Sequence, residues 1–494
     1  MNVNIFKIIA ISLLISGSFL SCTKNEEPDN KIDEEIDEEI DAEITMTVQG
    51  SLGWIYLGGT GTAIIDWGDG RSENLAIYPP DSDVDFSQVH PNIEFSFSGT
   101  STHNITIRGK GITHLICSFF FQMTSLDVSN NTALTHLDCE SNLLKELDVT
   151  QNKALIYLNC SDNQLTSLDL SQNEVLTYLD CSGNQIPELD ISNNIQLLSF
   201  YCFNQYSDRS YILNTLDISQ NTALTNLNCG ANHLSTLDIS HNVALTNLDC
   251  RYNQLLSLDI SRNIELTNLD CSDNQLSTLD ISNNVILSDL NCSNNQISNL
   301  DLSNNAALTS FDCSSNQVKD LNLNDNIALS SLSCNYNQLS SLDVSKNVVL
   351  SALYCRTNQL TALDLRFNKD LMILDCSTNQ LSNLDLSQNA LLMQLYCSSN
   401  QLMNLDLSNN KSLVFFACEN NVLNGLDLTN NLIISYITCY SNNMSTSALN
   451  SLFETLHPNE LTVRSKIIDI NNNPGSDYCD KSIANKKGWA VYNN

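Results

Sequence analysis

The sequence predicts a repeat solenoid, and three features of the repeat support this fold class. A cysteine recurs every 21 residues along most of the 494-residue chain. Each cysteine lies in the frame L-x-x-L-x-C-x-x-N-x-L, as between Leu266 and Leu276, and a second half-frame follows, as between Leu279 and Asn284. A fixed period of about 20–29 residues is typical of chains that coil one unit upon the next. The ladder consists of Cys139, Cys160, Cys181, Cys202, Cys229, Cys250, Cys271, Cys292, Cys313, Cys334, Cys355, Cys376, Cys397, Cys418 and Cys439.

The two half-frames resemble the 21-residue subclass of bacterial leucine-rich repeats sometimes called IRREKO, in which L-x-x-L-x-C-x-x-N-x-L alternates with L-x-x-L-D-L-x-x-N-x-x. The motif match covers about residues 112–443. The predicted repeat domain comprises residues 111–443. The resemblance implies a right-handed coil with a parallel β-sheet on the concave face. A repeat array also needs caps, because its end rungs would otherwise expose the core. The side chains expected to point inward in one rung are Leu287, Leu290, Cys292, Ile297, Leu300 and Leu302.

Eighteen cysteines in an exported protein would normally indicate disulfides. In a parallel stack, however, equivalent positions lie about 4.8 Å apart and point the same way. Bridged cysteines instead need β-carbons that face each other at about 3.8 Å. We therefore expect the ladder thiols to be buried as small apolar groups. A row of metal-bound thiolates is the alternative, but the sequence has no C-x-x-C pair, so we expect neither a metal nor a cofactor.

Two recurring asparagine positions are interpreted as structural. One lies eight residues before the cysteine, from Asn131 to Asn431, and the other lies three residues after it, except in the rung of Cys202. A buried asparagine at a tight corner satisfies backbone groups that would otherwise lack partners. The two positions therefore predict two corners in each rung rather than a binding site.

The second half-frame places an aspartate on the convex side of most rungs. Carboxylates about 5 Å apart repel each other, so something must offset their charge. Hydrogen bonds from serine hydroxyls and corner amides are one explanation, and bound divalent cations are the other. Asn322 keeps the acceptor without the charge, which favours hydrogen bonding. The aspartates are Asp148, Asp169, Asp190, Asp217, Asp238, Asp259, Asp280, Asp301, Asp343, Asp364, Asp385, Asp406 and Asp427.

Residues 1–21 predict a secretory signal peptide, with Lys7 before the apolar stretch Ile8–Ile15. Cys22 follows small residues, as in lipoprotein signals, and the resemblance implies that Cys22 is lipidated; an ordinary signal peptide is the alternative. Residues 22–45 resemble the acidic tether of Bacteroidota lipoproteins. We expect an exported protein that is anchored by lipid in the outer membrane and exposed at the cell surface.

Residues 46–110 change to β-rich runs separated by turns. The segment Trp67-Gly-Asp-Gly70 resembles the W-G-D-G turn of PKD-like β-sandwich domains, in which the tryptophan packs inward and Asp69-Gly70 forms the turn. A domain of about 65 residues is marginally stable alone. We therefore expect this module to dock on the first rung as a small β-sandwich-like N-terminal cap.

Two departures from the repeat mark an insertion and a C-terminal cap. The interval from Cys202 to Cys229 is 27 residues, six longer than the period, so we expect a loop there. Residues 444–494 are predicted to form an α/β cap. Within it, the apolar spacing from Leu449 to Leu456 predicts a helix, and residues 461–470 predict a strand.

Tyrosines beside the ladder cysteines are the candidate ligand-binding residues, because exposed tyrosines are frequent on recognition surfaces. Drift at tolerant solvent positions is the alternative. A purely polar floor lies between two groups of these tyrosines, made of Asn226, Asn228, Asn247, Asp249, Asn268, Asp270, Asp289 and Asn291. The tyrosines are Tyr157, Tyr178 and Tyr201, with Tyr206 and Tyr211 on the insertion, and further on Tyr354, Tyr396 and Tyr436.

The sequence carries no catalytic constellation. The seven histidines are scattered, and neither a phosphate-binding glycine loop nor H-E-x-x-H occurs. The net charge of −34 argues against nucleic acid, which is bound mainly through lysine and arginine. We expect a non-enzymatic surface protein that binds a protein partner through its concave face, in adhesion, recognition or an adaptor-like role. Glycan binding is the alternative, and a passive envelope spacer is a third possibility.

Overall fold

The computed structural model describes residues 40–49, 52–78, 93–97, 101–118, 122–207, 210–458 and 465–493. The predicted signal peptide, Cys22 and the tether as far as residue 39 lie outside these residues. In the part of the chain that is described, no helix is both long enough and apolar enough to cross a lipid bilayer.

Two β-sheets form the N-terminal module and the first rung. Their strands are β1 (Ala42–Gln49), β2 (Leu52–Gly59), β3 (Gly61–Asp66), β4 (Ser72–Ile77), β5 (Ile93–Ser96), β6 (Thr102–Gly109), β7 (Ile112–Ile116) and β8 (Met123–Asp127). One sheet has the order β4-β3-β6-β1-β8. In the other, β2 pairs with both β5 and β7. Trp67 is buried, and the amide of Arg71 donates to Asp69 Oδ1 in the turn that follows it, as the W-G-D-G resemblance implies.

The module is continuous with both sides of the first rung. Strand β2 is antiparallel to β7, and β7 is the first strand of the parallel sheet that follows. On the other side, β1 pairs with β8, which precedes the second rung. Strand β1 begins at Ala42, so the last residues of the predicted 22–45 tether belong to the folded module, where Ile44 is fully buried.

Each later rung contributes one strand of three residues that ends directly before its cysteine. These strands are β9 (His136–Asp138), β10 (Tyr157–Asn159), β11 (Tyr178–Asp180), β12 (Ser199–Tyr201), β15 (Asn226–Asn228), β16 (Asn247–Asp249), β17 (Asn268–Asp270), β18 (Asp289–Asn291), β19 (Ser310–Asp312), β20 (Ser331–Ser333), β21 (Ala352–Tyr354), β22 (Ile373–Asp375), β23 (Gln394–Tyr396), β24 (Phe415–Ala417) and β25 (Tyr436–Thr438). They pair in parallel with equivalent residues side by side, for example Leu158 beside Leu179. The predicted leucine-rich repeat solenoid with its parallel concave sheet is confirmed.

The cysteine ladder lies in the core. Every cysteine from Cys117 to Cys439 is buried and free, and Cys117 extends the predicted ladder by one rung. The Cys139 thiol lies 3.6 Å from the Asn159 carbonyl oxygen in the next rung. Burial raises the pKa of these thiols, so they are neutral at physiological pH. The expected packing as small apolar groups is confirmed.

The asparagine ladders close the corners, as predicted. Asn163 Nδ2 donates to the carbonyl oxygens of Cys139 and Cys160 at 3.0 and 3.1 Å, and its Oδ1 accepts from the amide of Leu144 at 3.0 Å. At the other corner, Asn152 Nδ2 donates to two carbonyl oxygens of the preceding rung. Asn152 and Asn163 therefore each join their own rung to a neighbouring rung.

Hydrogen bonds also account for the convex aspartates. Asp169 Oδ1 accepts from the amide of Ser171 at 2.9 Å, and this bond with that of the Ser171 hydroxyl lowers the pKa of the carboxyl. At the equivalent position, Asn322 Oδ1 accepts a hydrogen bond of 3.1 Å from the amide of Asn324. The expected hydrogen bonds are present, and the backbone amide supplies the recurring donor.

The two departures from the repeat fold as a hairpin and as a cap. The insertion forms the hairpin of β13 (Tyr206–Ser207) and β14 (Ser210–Tyr211), directly after β12. The cap contains α1 (Thr446–Thr455), β26 (Lys466–Asp469), α2 (Ser482–Asn485) and β27 (Trp489–Tyr492). Strands β26 and β27 extend the parallel sheet. The predicted helix is confirmed, whereas the strand predicted over 461–470 is present as β26 and its residues 461–464 lie outside the described part.

Candidate functional site

The concave sheet displays two columns of side chains. Because side chains alternate along a strand, the first and third residues of each three-residue strand face outward while the middle residue enters the core. Equivalent residues repeat in register from rung to rung, so the outward residues line up along the solenoid. The candidate tyrosines and the polar floor all belong to these columns or to the hairpin beside them.

Five rings form a continuous stack on the first rungs, which we call the aromatic column: His114, His136, Tyr157, Tyr178 and Tyr201. The centroid distances along it are 4.2, 5.9, 4.3 and 5.5 Å. The first three contacts are stacked and the last is tilted, because Tyr201 stands at the third position of its strand and not at the first. The structure thus brings together the three tyrosines singled out on successive rungs.

The prediction that the histidines are scattered is wrong for His114 and His136. Both stand three residues before a cysteine, as Tyr157 does, so the register of the repeat superimposes them. The signal was present in the spacing to Cys117 and Cys139. The repeat frame alone does not reveal this alignment, because the first rung departs from the frame.

Carboxylates surround the column, and burial raises their pKa values. Asp138 is buried, accepts hydrogen bonds from Ser118 Oγ and from Asn159 Nδ2, and has a raised pKa. Burial, together with the charge of Asp138, raises the pKa of Glu140 to about 6. Burial likewise raises the pKa of Asp180, which lies in the same strand as Tyr178. The column therefore lies in an acidic, partly desolvated environment.

The rings of His114, His136, Tyr157 and Tyr178 are uncharged at neutral pH. Burial, and then the neighbouring His136, lower the pKa of His114 to about 4, and burial lowers that of His136. Burial raises the pKa of Tyr157 and of Tyr178, and nearby aspartates add to the effect. The column offers ring edges and hydroxyl groups for contact, without a positive charge of its own.

The remaining candidate tyrosines lie in two other places. Tyr206 and Tyr211 pack edge to face on the hairpin at 5.6 Å. Near the C-terminal end, Phe415 lies 4.9 Å from Tyr396 and 4.8 Å from Tyr436. Tyr354 is separated from Tyr396 by the Asp375 position of the intervening strand, so it stands apart from that cluster.

The predicted polar floor forms a groove of ≈ 570 Å³ between the two aromatic groups, which we call the polar groove. Tyr201 closes its N-terminal end. Its floor side chains are Asn226, Asn228, Asn247, Asp249, Asn268, Asp270, Asp289 and Asn291. The groove begins where the aromatic column ends, so the first half of the concave sheet has one aromatic region and one polar region.

Arg251 lies beside the groove. Arg251 Nε is 3.3 Å from Asp249 Oδ2, and its Nη1 is 3.7 Å from Asp270 Oδ2. Its guanidinium group also lies 5.8 Å from the ring centroid of Phe203, at the base of the hairpin. Burial raises the pKa of Asp249 to about 6, while Arg251 opposes the rise.

Within the described residues, no group of three or more histidine, cysteine, aspartate or glutamate side chains is placed to hold a metal ion. The described surface instead combines ordered aromatic rings with fixed amides and carboxylates. Such an arrangement can recognise a ligand by packing and hydrogen bonding.

Comparisons with solved structures agree with this fold. The functional domain of InlJ from Listeria monocytogenes, which includes a cysteine ladder, is 33% identical over 73% of this chain and 74% of that chain, with a TM-score of 0.58. The plant peptide hormone receptor RGFR1 in complex with RGF2 is 19% identical, with coverage of 74% and 69% and a TM-score of 0.56. The LRR ectodomain of the receptor kinase GASSHO1/SCHENGEN3 from Arabidopsis thaliana is 20% identical, with coverage of 74% and 54% and a TM-score of 0.54.

No protein-family model and no curated protein matches the chain. The two plant receptors show a shared fold at an identity of 20% or less. The Listeria protein shares more than the fold with this chain. Its sequence identity is higher, and both chains have a cysteine ladder. The chain belongs to the bacterial internalin-type leucine-rich repeat proteins that carry a cysteine ladder.

Proposed function

We propose that this protein is a non-enzymatic, cell-surface leucine-rich repeat protein that binds a protein partner through its concave sheet. The aromatic column is the observation that carries the proposal. Its five rings are ordered against one another over consecutive rungs, and all of them except the buried His114 remain partly accessible. Binding to such a surface costs little side-chain entropy, because the rings are already held in place by their neighbours.

The chemistry of the column suits a protein partner. Tyrosine combines a large apolar ring with a hydroxyl group, and it is enriched among residues that dominate binding energy at interfaces. Tyr157 and Tyr178 stack at 4.3 Å with the carboxylates of Asp138 and Asp180 nearby. A partner that packs against the rings would also meet a row of acceptors, so we expect it to present apolar groups with basic groups around them.

The related fold is compatible with this role. RGFR1 is described in complex with RGF2, and GASSHO1/SCHENGEN3 in complex with CASPARIAN STRIP INTEGRITY FACTOR 2. Those complexes support a binding role for a solenoid of this kind, and they leave the partner of this chain to be identified.

The proposed surface location rests on the N-terminal sequence. Residues 1–21 have the pattern of a signal peptide, and Cys22 follows small residues. Labelling of cells with a radioactive fatty acid tests the anchor: the wild-type protein should be labelled and a Cys22→Ser variant should not. Protease treatment of intact cells tests exposure, because a surface protein is digested while a periplasmic control protein survives.

The binding proposal is tested by cross-linking the purified ectodomain to candidate surface proteins and repeating the experiment with Tyr157→Ser/Tyr178→Ser. Serine is already present at the same strand position in Ser310 and Ser331, so the variant should fold. Tyr436→Ser is the matched control. It removes a tyrosine from the same strand position, the first of three, on a rung far from the aromatic column. A specific partner should be lost with the double variant and kept with the control. Equal capture by all three proteins would refute the proposal.

A further inference from the structure

The polar groove differs in composition from both aromatic regions. All eight floor side chains are asparagine or aspartate, and they cover four consecutive rungs without an outward apolar side chain. Protein interfaces usually need aromatic or aliphatic anchors at their centre, and this floor supplies none. The ligand of the groove should therefore interact mainly through hydrogen bonds.

The floor amides are fixed by hydrogen bonds between rungs and within a rung. Asn247 Nδ2 donates to Asn226 Oδ1 at 2.7 Å, and Thr267 Oγ1 donates to Asn268 Oδ1 at 2.9 Å. Asn291 Nδ2 donates to Asp270 Oδ2 at 3.2 Å in the parallel column. An asparagine side chain offers two donors and two acceptor lone pairs, more than these contacts use. The floor is therefore ordered in advance and keeps capacity for further hydrogen bonds.

The groove is periodic. Equivalent amides recur at the rung spacing of about 4.8 Å, as in the series Asn226, Asn247 and Asn268. A ligand built of repeated units can make the same contact on successive rungs, so weak contacts add up along its length. Sugar hydroxyl groups both donate and accept, which matches a mixed floor of amides and carboxylates.

The charges of the groove select against an anionic chain. Asp249, Asp270 and Asp289 contribute three carboxylates, and Arg251 lies close to only the first two. An acidic polysaccharide would meet uncompensated negative charge, whereas a neutral chain would not. Tyr201 closes one end of the groove with a ring on which a sugar can pack.

We propose that the polar groove is a binding site for a neutral, linear oligosaccharide, separate from the aromatic column. Asn226, Asn247 and Asn268 hold successive sugar units by hydrogen bonds, and Tyr201 packs against a sugar ring at the end. The site goes beyond the proposed protein binding and does not depend on it, since the two surfaces use different rungs apart from Tyr201.

The test uses neutral hexasaccharides of β-1,4-linked glucose, xylose and N-acetylglucosamine, with oligogalacturonate as the anionic counterpart. Saturation-transfer NMR on the folded ectodomain should detect at least one neutral sugar and not the anionic one. Asn247→Ser/Asn268→Ser should weaken that binding about tenfold or more, a change of about 1.4 kcal/mol. Serine occurs at this position in Ser310 and Ser331, so the variant should keep its fold, which circular dichroism verifies.

Two further variants separate the outcomes. Ser310→Asn places a further amide one rung beyond the Asp289 position and should strengthen binding of a longer sugar. Tyr157→Ser, which keeps the Tyr178 ring that packs against Tyr201, should leave sugar binding unchanged, even where it weakens binding of the protein partner. The proposal is overturned if no neutral sugar shows transfer, if the anionic chain binds as well, or if the Asn247→Ser/Asn268→Ser protein binds like the wild type.

Discussion

Gln205 Nε2 donates a hydrogen bond of 2.7 Å to the carbonyl oxygen of Cys181, where the regular rungs use an asparagine. Its Oε1 also accepts from the amide of Ile186 at 3.0 Å. One rung earlier, Asn184 makes the equivalent bonds to Cys160 and Leu165 at 2.9 and 3.0 Å. The longer glutamine thus keeps the ladder intact at the rung that carries the insertion.

This relationship predicts that the side-chain length required at position 205 depends on whether the insertion is present. Gln205→Asn should destabilise the intact protein, because the shorter amide would leave the Cys181 carbonyl and the Ile186 amide unsatisfied, at about 1–3 kcal/mol for each group. Deletion of residues 206–211 restores the 21-residue period. In that background the same substitution should become stabilising.

A double-mutant cycle measured by urea unfolding checks this prediction. The coupling free energy between the substitution and the deletion should favour the combined variant. Additive effects would show that the backbone at Gln205 already has the geometry of a regular rung and that glutamine is incidental.

The regular part of the molecule could be predicted because one repeat determines its own neighbours. Asn163 bonds to the carbonyl oxygens of Cys160 in its own rung and of Cys139 in the preceding rung, so a 21-residue period predicts both contacts without knowledge of distant segments. The ends could not be predicted in the same way. The pairing of β1 with β8 joins segments with no shared period, and the stacking of His114 on His136 involves the first, imperfect rung.

A second prediction concerns the left-handed residue that follows each cysteine from Cys139 to Cys439 by two positions. Thr378 has φ of 54° and Gly183 has φ of 64°. The left-handed region costs about 1–2 kcal/mol for a residue with a β-carbon, against about 0.5–1 kcal/mol of extra entropy for glycine. Thr378→Gly should therefore raise the free energy of unfolding by about 1 kcal/mol.

Gly183→Ala is the reciprocal variant and should lower stability. A β-carbon there would lie 2.2 Å from Asp162 Oδ1, so the aspartate would have to move as well. Thermal unfolding of both variants measures the effect. Opposite signs are expected, and a loss of stability in Thr378→Gly would mean that the threonine makes a contact worth more than its backbone strain.

The third prediction tests the packing of the ladder. Cys271 is fully buried, with ladder cysteines in the rungs on either side. Cys271→Leu adds carbon atoms to a closed core and should destabilise the protein by about 1–3 kcal/mol. A neutral result would show that the coil has spare room at this position.

The same ladder predicts reduced thiols. The sixteen buried cysteines from Cys117 to Cys439 are all free. Alkylation under denaturing, non-reducing conditions should therefore add at least fifteen labels to the intact protein, as read by mass spectrometry. A mass shift that indicates mainly disulfides would contradict the observed packing.

The fourth prediction is the pH dependence of Glu140. Its folded pKa of about 6 lies above the ordinary value of 4.5, because burial and Asp138 disfavour the ionised form. The Glu140 carboxyl therefore stabilises the folded state fully below about pH 4.5, and this stabilisation is lost as the pH rises through 6. Glu140→Gln should raise the melting temperature at pH 7 and change it little at pH 4.

Glu174→Gln, at an exposed turn, is the control for the loss of one negative charge. It should show no comparable difference between the two pH values. If Glu140→Gln stabilises equally at pH 4 and pH 7, then the gain comes from packing or hydrogen bonding and not from the carboxyl equilibrium.

The final prediction concerns calcium and the convex aspartates. Asp280 Oδ1 accepts the amide of Ser282 at 3.0 Å, and this bond with that of the Ser282 hydroxyl lowers the pKa of the carboxyl. Asn322 makes the same contact without a charge. Asp280→Asn should thus preserve the melting temperature, or raise it by removing repulsion from Asp259 and Asp301, whereas Asp280→Ala should lower it by leaving the corner amide without its acceptor.

Calcium should then act only as a general screening ion. Carboxylates are suitable calcium ligands, but here each convex aspartate is already used by a backbone amide, and a calcium site needs six or more oxygen ligands. Calcium should raise the melting temperature slightly, and magnesium or added sodium chloride should do nearly as well. A calcium-specific rise of more than about 10 °C would imply several kcal/mol of linkage in a solenoid this long. That rise, if abolished by Asp280→Asn, would assign the convex aspartates to metal binding in place of corner hydrogen bonding.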